Sequence, residues 1–166
     1  AKEVQKAEKA REAGQCMGEA LPELREIMHK IKETYDVHKE NVGVGSTIFA
    51  VKPGDGSARE QAASCQKVLG GWANIANEYA TKRYRSNLIN WGMLPFLIDK
   101  GDLPFANGDY IFIPGIKQAI TDKVYNFKAY VVNKDMKEFE LKMDELTDDE
   151  RQIILDGCLI NFYRNN

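Results

Sequence analysis

A short apolar segment, a glycine-rich turn and a helix-forming segment follow one another in the first half of the chain. Residues 46–51 are apolar and β-branched, which predicts a buried strand. A turn cluster at residues 52–56 follows, and residues 58–69 then have helical character up to the pair Gly70-Gly71. An early alternation of strand and helix favours an α/β fold with parallel strand pairing.

The remaining elements extend this pattern and then change it. Residues 72–75 and 93–98 are short apolar strand candidates, and a helix is predicted between them over residues 79–91. Residues 110–113 predict another strand, followed by a turn at Pro114-Gly115. Residues 124–132 and 138–141 alternate as an antiparallel hairpin joined through residues 133–135, and a final helix begins at the capping box Thr147 to Glu150 and runs to about Gly157. We therefore expect a mixed sheet flanked by helices.

The first 40 residues differ from the rest and predict a helical linker or lead-in to a domain over 41–166. Residues 1–13 are rich in Ala, Glu and Lys without a clear apolar stripe, so they predict an exposed helix or a leader separated from its neighbour. Apolar residues after Pro22 recur every three or four positions, which predicts an amphipathic helix. Because the chain starts at Ala1 in charged, helix-forming sequence, we expect it to be cut from a longer protein.

Charge and cysteine content exclude several classes of function. The formal net charge of −2 provides no field of one sign for nucleic acid or a membrane surface, and no apolar run is long enough to span a bilayer. Cys16, Cys65 and Cys158 are an odd number at wide separations, which indicates free thiols in a reducing compartment such as the cytoplasm. With only His29 and His38 available besides, we expect no metal site in this chain alone.

The segment Gly54-Asp55-Gly56-Ser57-Ala58-Arg59-Glu60 has the features of an anion site. A glycine turn that opens a helix presents unpaired backbone N–H groups and the positive end of the helix dipole. The planar cation of Arg59 suits a carboxylate, and Ser57 lies where its hydroxyl can face a substrate. The local pattern alone nevertheless favours a simpler role, since Ser57 followed by Glu60 is also the sequence of a capping box.

The order of four motifs resembles one family of enzymes. Residues 54–63 resemble the pattern G-x-G-S-S-R-E-H-A-A of aconitases and isopropylmalate isomerases, and residues 69–73 resemble its L-G-G-x-A. Residues 85–95 are similar to x-x-N-L-x-x-x-G-L-L-P, and residues 154–161 are similar to the closing helix that runs into A-G-S-A-L-N. The resemblance implies the C-terminal, swivelling β/β/α domain of this family.

The resemblance also implies a chemistry. In the family this domain closes over a cleft formed by other domains that hold a [4Fe–4S] cluster, whose iron acts as a Lewis acid on a departing hydroxyl. Ser57 then corresponds to the base that removes a carbon-bound proton from a di- or tricarboxylate of tricarboxylic acid metabolism, and Arg59 to the active-site arginine beside it. Gly56 and Ala58 complete the implied substrate-binding segment. The family's second serine is Ala58 here, and its histidine is Gln61.

Several other residues have a structural and a functional interpretation. Lys82, Arg83 and Arg85 are more typical of a solvated helix face than of a carboxylate site. Asn87 matches the family's asparagine and suits a turn or the cleft equally. Packing is favoured for Cys65 and Cys158, and strand packing for the aromatic residues of the hairpin.

Three functions remain open on the sequence. The first is the C-terminal domain of an aconitase-type hydro-lyase, inactive without the cluster-bearing domains of the same polypeptide. The second is the small subunit of an isopropylmalate isomerase-like enzyme, which would work with a large subunit. The third is a non-catalytic module that binds a carboxylate at the same turn.

Overall fold

A computed structural model describes residues 2–38 and 40–166 of the chain. Six strands form one mixed sheet, with the order β1-β2-β3-β6-β5-β4. The strands are β1 (Ser46–Ala50), β2 (Gly71–Ala76), β3 (Leu94–Leu97), β4 (Ile111–Phe112), β5 (Asn126–Val131) and β6 (Lys137–Lys142). The helices are α1 (Lys2–Glu12), α2 (Glu23–Lys32), α3 (Arg59–Val68), α4 (Lys82–Asn90), α5 (Ile116–Thr121), α6 (Asp148–Asp156) and α7 (Leu159–Asn165).

The first half of the sheet is parallel, as the sequence predicts. β1 pairs with β2, and β2 pairs with β3, so that Phe49 lies opposite Ile75 and Ile75 opposite Phe96. Each crossover contains one helix, α3 or α4, and these two helices pack against each other. The carboxyl end of β1 therefore leads directly into the turn before α3.

The second half of the sheet is antiparallel. β5 and β6 form the predicted hairpin, with Phe127 opposite Leu141, and β4 pairs with β5 at the far edge. The hairpin joins the parallel half at a single pair, Leu97 with Lys142. One apolar cluster spans both halves and includes Ile75, Phe96, Phe127 and Leu141. This shared core confirms an α/β fold with a mixed sheet flanked by helices.

The predicted burial of β1 is wrong. β1 lies at one edge of the sheet, since β2 is its one neighbouring strand within the described residues, and Ile48 on it is 47% exposed. An apolar, β-branched segment favours a strand whether the strand is central or at an edge, so composition cannot give its position in the sheet.

Helices α1 and α2 pack against the rest of the fold. Ala7 and Glu8 of α1 are buried, so the prediction of an exposed or separated α1 is wrong. The Glu8 carboxylate accepts hydrogen bonds from the Val44 N–H at 2.8 Å and from Arg11 Nε at 2.8 Å. Leu24, Ile27 and Ile31 of α2 share an apolar cluster with Val132 beyond β5, which confirms the amphipathic helix. The domain boundary between residues 40 and 41 stays a prediction.

The capping box at the start of α6 is confirmed. The Thr147 hydroxyl accepts a hydrogen bond from the Glu150 N–H at 3.1 Å, and the Glu150 carboxylate accepts one from the Thr147 N–H at 3.0 Å. Gly157, with φ of 92°, ends the helix in the left-handed region. α5 and α7 have no predicted counterpart, because both are short and lack a strong capping pattern.

We expect Thr147→Ala to lower the free energy of unfolding by about 1 kcal/mol, since it removes one side of this capping box. Urea denaturation followed by circular dichroism measures the change. Thr34→Ala, at an exposed position beyond α2, is the matched control and should leave stability nearly unchanged. Equal stability of the Thr147 variant and the control would contradict this role of the cap.

Candidate functional site

The turn between β1 and α3 is held by a close backbone approach at Gly54. A Cβ at Gly54, whose φ is 98°, would lie 2.5 Å from Cβ of Tyr84. Both the positive φ and the lack of space require glycine here. Backbone hydrogen bonds also join this turn to the segment that follows β2. The Glu78 N–H donates to the Val51 carbonyl at 3.2 Å, and the Ala80 N–H donates to the Pro53 carbonyl at 2.9 Å.

Polar side chains beneath this turn form a buried hydrogen-bond network. Tyr84 is 2% exposed, and its hydroxyl accepts hydrogen bonds from Asn74 Nδ2 at 2.9 Å and from Gln66 Nε2 at 3.0 Å. The hydroxyl of Tyr79 donates to the Phe96 carbonyl at 2.8 Å. Burial raises the pKa of Tyr79, so this hydroxyl remains protonated and keeps its donor role. The network contacts the glycine turn where Gly54 packs against Tyr84.

The capping box predicted at Ser57 is wrong. α3 begins at Arg59, and the N-cap residue is Ala58, whose side chain makes no capping hydrogen bond. Ser57 therefore lies one residue before the N-cap, and Glu60 does not reach back to cap the helix. Because the Ser57 hydroxyl is exposed and takes no part in starting α3, it is available to a ligand.

Arg59 is oriented by the turn that precedes it. Its Nε donates a hydrogen bond to the Gly54 carbonyl at 3.0 Å, and the Thr81 hydroxyl donates to the same carbonyl at 3.3 Å. Thr81 is also the N-cap of α4, where it accepts a hydrogen bond from the Tyr84 N–H. One carbonyl thus joins the start of α3 to the start of α4. The two terminal nitrogens of the Arg59 guanidinium remain able to bind a carboxylate.

Ser57 and Arg59 line one cavity of about 620 Å³. The cavity has a polar side formed by the start of α3 and by α4, and an apolar side formed by the end of α4 and the start of α7. Its lining residues are Ser57, Arg59, Glu60, Arg83, Asn87, Asn90, Trp91, Cys158, Leu159 and Ile160. Gly56 and Ala58 lie in the same exposed turn, and a Cβ at Gly56 would meet no described atom within 4 Å.

The cations of α4 have different environments. Arg85 is not a solvated residue, because its Nη2 donates to the carbonyls of Asp144 and Glu145 and its Nη1 lies 3.5 Å from a Glu150 carboxylate oxygen. Arg83 is exposed, as expected for a solvated helix face, and it also lines the cavity. Lys82 is exposed and is not among the lining residues. One sequence signal could have identified this side of the cavity, namely the helical spacing of Arg83, Asn87 and Asn90.

The apolar side of the cavity depends on a second close approach. A Cβ at Gly92, which follows α4 with φ of 71°, would lie 1.8 Å from the carbonyl oxygen of Gly157. This contact sets the turn between α6 and α7, and so the positions of Cys158 and Leu159. Partial burial lowers the pKa of the Lys67 ammonium on α3.

The cysteines have unequal environments. Cys65 is exposed on α3, so its predicted burial is wrong, whereas Cys158 is half-buried at the cavity. Within residues 2–38 and 40–166, no group of three His, Cys, Asp or Glu side chains could hold a metal ion. No helix in the described part of the chain has both the length and the apolar character needed to cross a bilayer.

Comparisons with known proteins identify relatives of this chain. Residues 20–101 match the family model described as the aconitase C-terminal domain. The sequence is 31% identical over 157 residues to aconitate hydratase A of Rickettsia bellii (strain RML369-C), a match that covers 90% of this chain and 17% of that protein.

The structural comparison gives a second member of the same family. The fold is similar to the crystal structure of 3-isopropylmalate dehydratase from Methanocaldococcus jannaschii, with a TM-score of 0.54 and 27% sequence identity. That match covers 84% of this chain and 75% of the other chain. The chain belongs to the aconitase and isopropylmalate isomerase family of hydro-lyases, as its C-terminal type of domain.

Proposed function

We propose that this chain supplies the proton-abstracting serine and a carboxylate-binding arginine to the active site of a hydro-lyase that acts on hydroxy di- or tricarboxylates. The observation that carries this proposal is that Ser57, in the glycine turn, and Arg59, the first residue of α3, line the same cavity. Family membership supplies the reaction class, dehydration and rehydration of a hydroxy acid. The roles of Ser57 and Arg59 in that reaction are what we propose.

Ser57 would act as the base toward a carbon-bound proton. A serine hydroxyl is too weakly acidic to do this without help, so donors and cations must stabilise the alkoxide and the charge that develops on the substrate. The N–H groups at the start of α3 and the guanidinium of Arg59 are such groups. The proton passes from the substrate carbon to the Ser57 oxygen, and the electron pair is delocalised into the adjacent carboxylate, which Arg59 binds.

Ala58 distinguishes this chain from the motif G-x-G-S-S-R. Its methyl group replaces a hydroxyl in the exposed turn beside Ser57. One hydrogen bond to substrate is therefore missing relative to the motif, and we propose that substrate preference differs accordingly from citrate and isocitrate.

The rest of the active site would come from a partner that covers the cavity. The described residues hold no group able to bind a [4Fe–4S] cluster, so in this proposal the cluster belongs to other domains of a longer polypeptide. Ile160 and Tyr163 on α7, which are 72% and 73% exposed, are suited to burial against such a domain. Cys65 and Cys158 are free thiols, which suits a reducing compartment such as the cytoplasm.

A second candidate function is the small subunit of a two-subunit isopropylmalate isomerase-like enzyme. The structural similarity to 3-isopropylmalate dehydratase over most of both chains favours this candidate. The residue roles would be the same, and only the covalent link to the cluster-bearing partner would differ. In a third candidate, a non-catalytic homologue, the turn would bind a carboxylate and a cluster-bearing partner would produce no turnover.

Reconstitution with a cluster-bearing partner tests the proposal. The complex should hydrate an unsaturated di- or tricarboxylate, followed by the loss of its ultraviolet absorbance. Arg59→Gln should raise KM by about 10- to 100-fold, since a hydrogen bond to a charged group contributes about 1.5–3 kcal/mol.

Arg164→Gln, at an exposed position near the end of α7, is the control for loss of one positive charge and should leave KM unchanged. Carboxylate binding at the turn without turnover in any reconstituted complex would favour the non-catalytic module. An unchanged KM in the Arg59 variant would remove Arg59 from substrate binding.

A further inference from the structure

Arg83 brings a second guanidinium to the cavity that Ser57 and Arg59 line. Arg83, Asn87 and Asn90 follow one another at intervals of four and three residues, so they lie on one face of α4. The opposite face of α4 is buried and carries Tyr84, Leu88 and Ile89. This packing holds the polar face of α4 toward the cavity.

The residues that line this cavity carry more positive than negative charge. α4 contains no acidic residue, and Glu60 is the carboxylate among the lining residues, against the two guanidinium groups of Arg59 and Arg83. Arg85 on the same helix is bound to Asp144, Glu145 and Glu150, whereas no ion pair within the described part of the chain involves Arg83. The surplus positive charge favours an anionic ligand.

We propose that Arg83 binds a second carboxylate of the substrate, so that the cavity selects acids in which two carboxylates reach from α3 to α4. This inference rests on the proposed function, which requires one carboxylate at Arg59. A planar guanidinium can donate two parallel hydrogen bonds to a carboxylate. The side-chain amides of Asn87 and Asn90 lie on the same face and can donate to the same group or to a substrate hydroxyl.

A titration with two matched acids tests this role. The 166-residue chain, labelled with ¹⁵N, is titrated with succinate and with butyrate, which have the same number of carbon atoms and differ in their number of carboxylates. Amide shifts at residues 56–59 report binding. We expect succinate to bind at least about 10-fold more tightly than butyrate, because each charge-assisted pair adds about that factor.

Arg83→Gln should reduce this preference to about 2-fold or less and leave butyrate binding unchanged. Arg83→Lys should restore part of the preference, because it keeps the charge but loses the planar fork. Lys82→Gln is the control, since it removes one positive charge from the neighbouring exposed position outside the cavity. It should keep the preference of the unsubstituted chain. Arg83 is exposed, so thermal unfolding of its variants should match that of the unsubstituted chain.

The outcomes separate this inference from the proposed function. A preference for succinate that survives Arg83→Gln, or a lack of preference in the unsubstituted chain, overturns the role of Arg83. If, in addition, Arg59→Gln abolishes binding of both acids, the carboxylate site at the turn stands without Arg83. If neither acid shifts residues 56–59, the carboxylate site fails and the inference fails with it.

Discussion

Replacing Ser57 by alanine in the reconstituted complex is expected to lower kcat by about 10²- to 10⁴-fold, with little change in KM. A positioned base contributes about 10²–10⁴-fold to a proton transfer, and the Ser57 hydroxyl lines the cavity without taking part in starting α3. The variant should therefore fold normally and retain carboxylate binding at Arg59. Steady-state kinetics of hydration, followed by ultraviolet absorbance, measure both parameters.

Ser64→Ala is the matched control for this experiment. Ser64 lies on α3, the helix that follows Ser57, and its hydroxyl donates to the Gln61 carbonyl at 3.2 Å. Its removal should leave kcat within about 2-fold of the unsubstituted enzyme, because an exposed hydrogen bond within a helix contributes little. A kcat in the Ser57 variant equal to that of the control would exclude Ser57 as the base.

Replacing Gly92 by alanine is expected to destabilise the chain by about 3 kcal/mol or more, because the new side chain would overlap a backbone atom. The new Cβ would lie 1.8 Å from the Gly157 carbonyl oxygen, a backbone atom that cannot rotate away. The positive φ of 71° adds about 1 kcal/mol for any residue with a Cβ. The turn between α6 and α7 must move, and the apolar side of the cavity moves with it.

Gly14→Ala separates the steric effect from the backbone effect. Gly14 has nearly the same φ, 73°, but a Cβ there would meet no described atom within 4 Å. It should cost about 1 kcal/mol, the backbone contribution alone. Chemical denaturation measures both variants, and equal losses for Gly14 and Gly92 would show that the approach to Gly157 carries no penalty.

The strand pattern was predictable because it depends on local composition and on turn residues. Alternation of strand and helix up to residue 98 gave the parallel half of the sheet, and the spacing of residues 124–141 gave the antiparallel hairpin. The order of the strands also explains the error at β1. Its sequence is that of any apolar strand. Ile48 is exposed because β1 lies at the edge of the sheet, beside β2.

The start of α3 shows the limit of motif reasoning. Ser57 and Glu60 have the spacing of a capping box, as Thr147 and Glu150 do, but only the second pair forms the hydrogen bonds. At the first site, the approach of Gly54 to Tyr84 and the bond from Arg59 to the Gly54 carbonyl set the turn instead. Gly54 and Tyr84 are far apart in the sequence, so a local pattern does not record their contact.

Much of the cavity wall could not be predicted from the sequence either. The segment from 52 to 60 identified Ser57 and Arg59 as candidates, yet it contained no information on what would face them. Arg83 reaches the cavity because α4 packs against α3, and Leu159 reaches it because Gly92 and Gly157 approach closely. The sequence predicts that Cys65 is buried, but Cys65 lies on a face of α3 that is exposed to solvent.

Deuterium exchange at the substrate carbon tests the central claim most directly, because it reports proton abstraction itself. The reconstituted enzyme is incubated in D₂O with a saturated hydroxy acid substrate, and ¹H NMR follows the loss of the carbon-bound proton. We predict exchange in the unsubstituted enzyme and none above background in Ser57→Ala, while Ser64→Ala exchanges normally. Exchange at an undiminished rate in the Ser57 variant would contradict the account, since another group would then remove the proton.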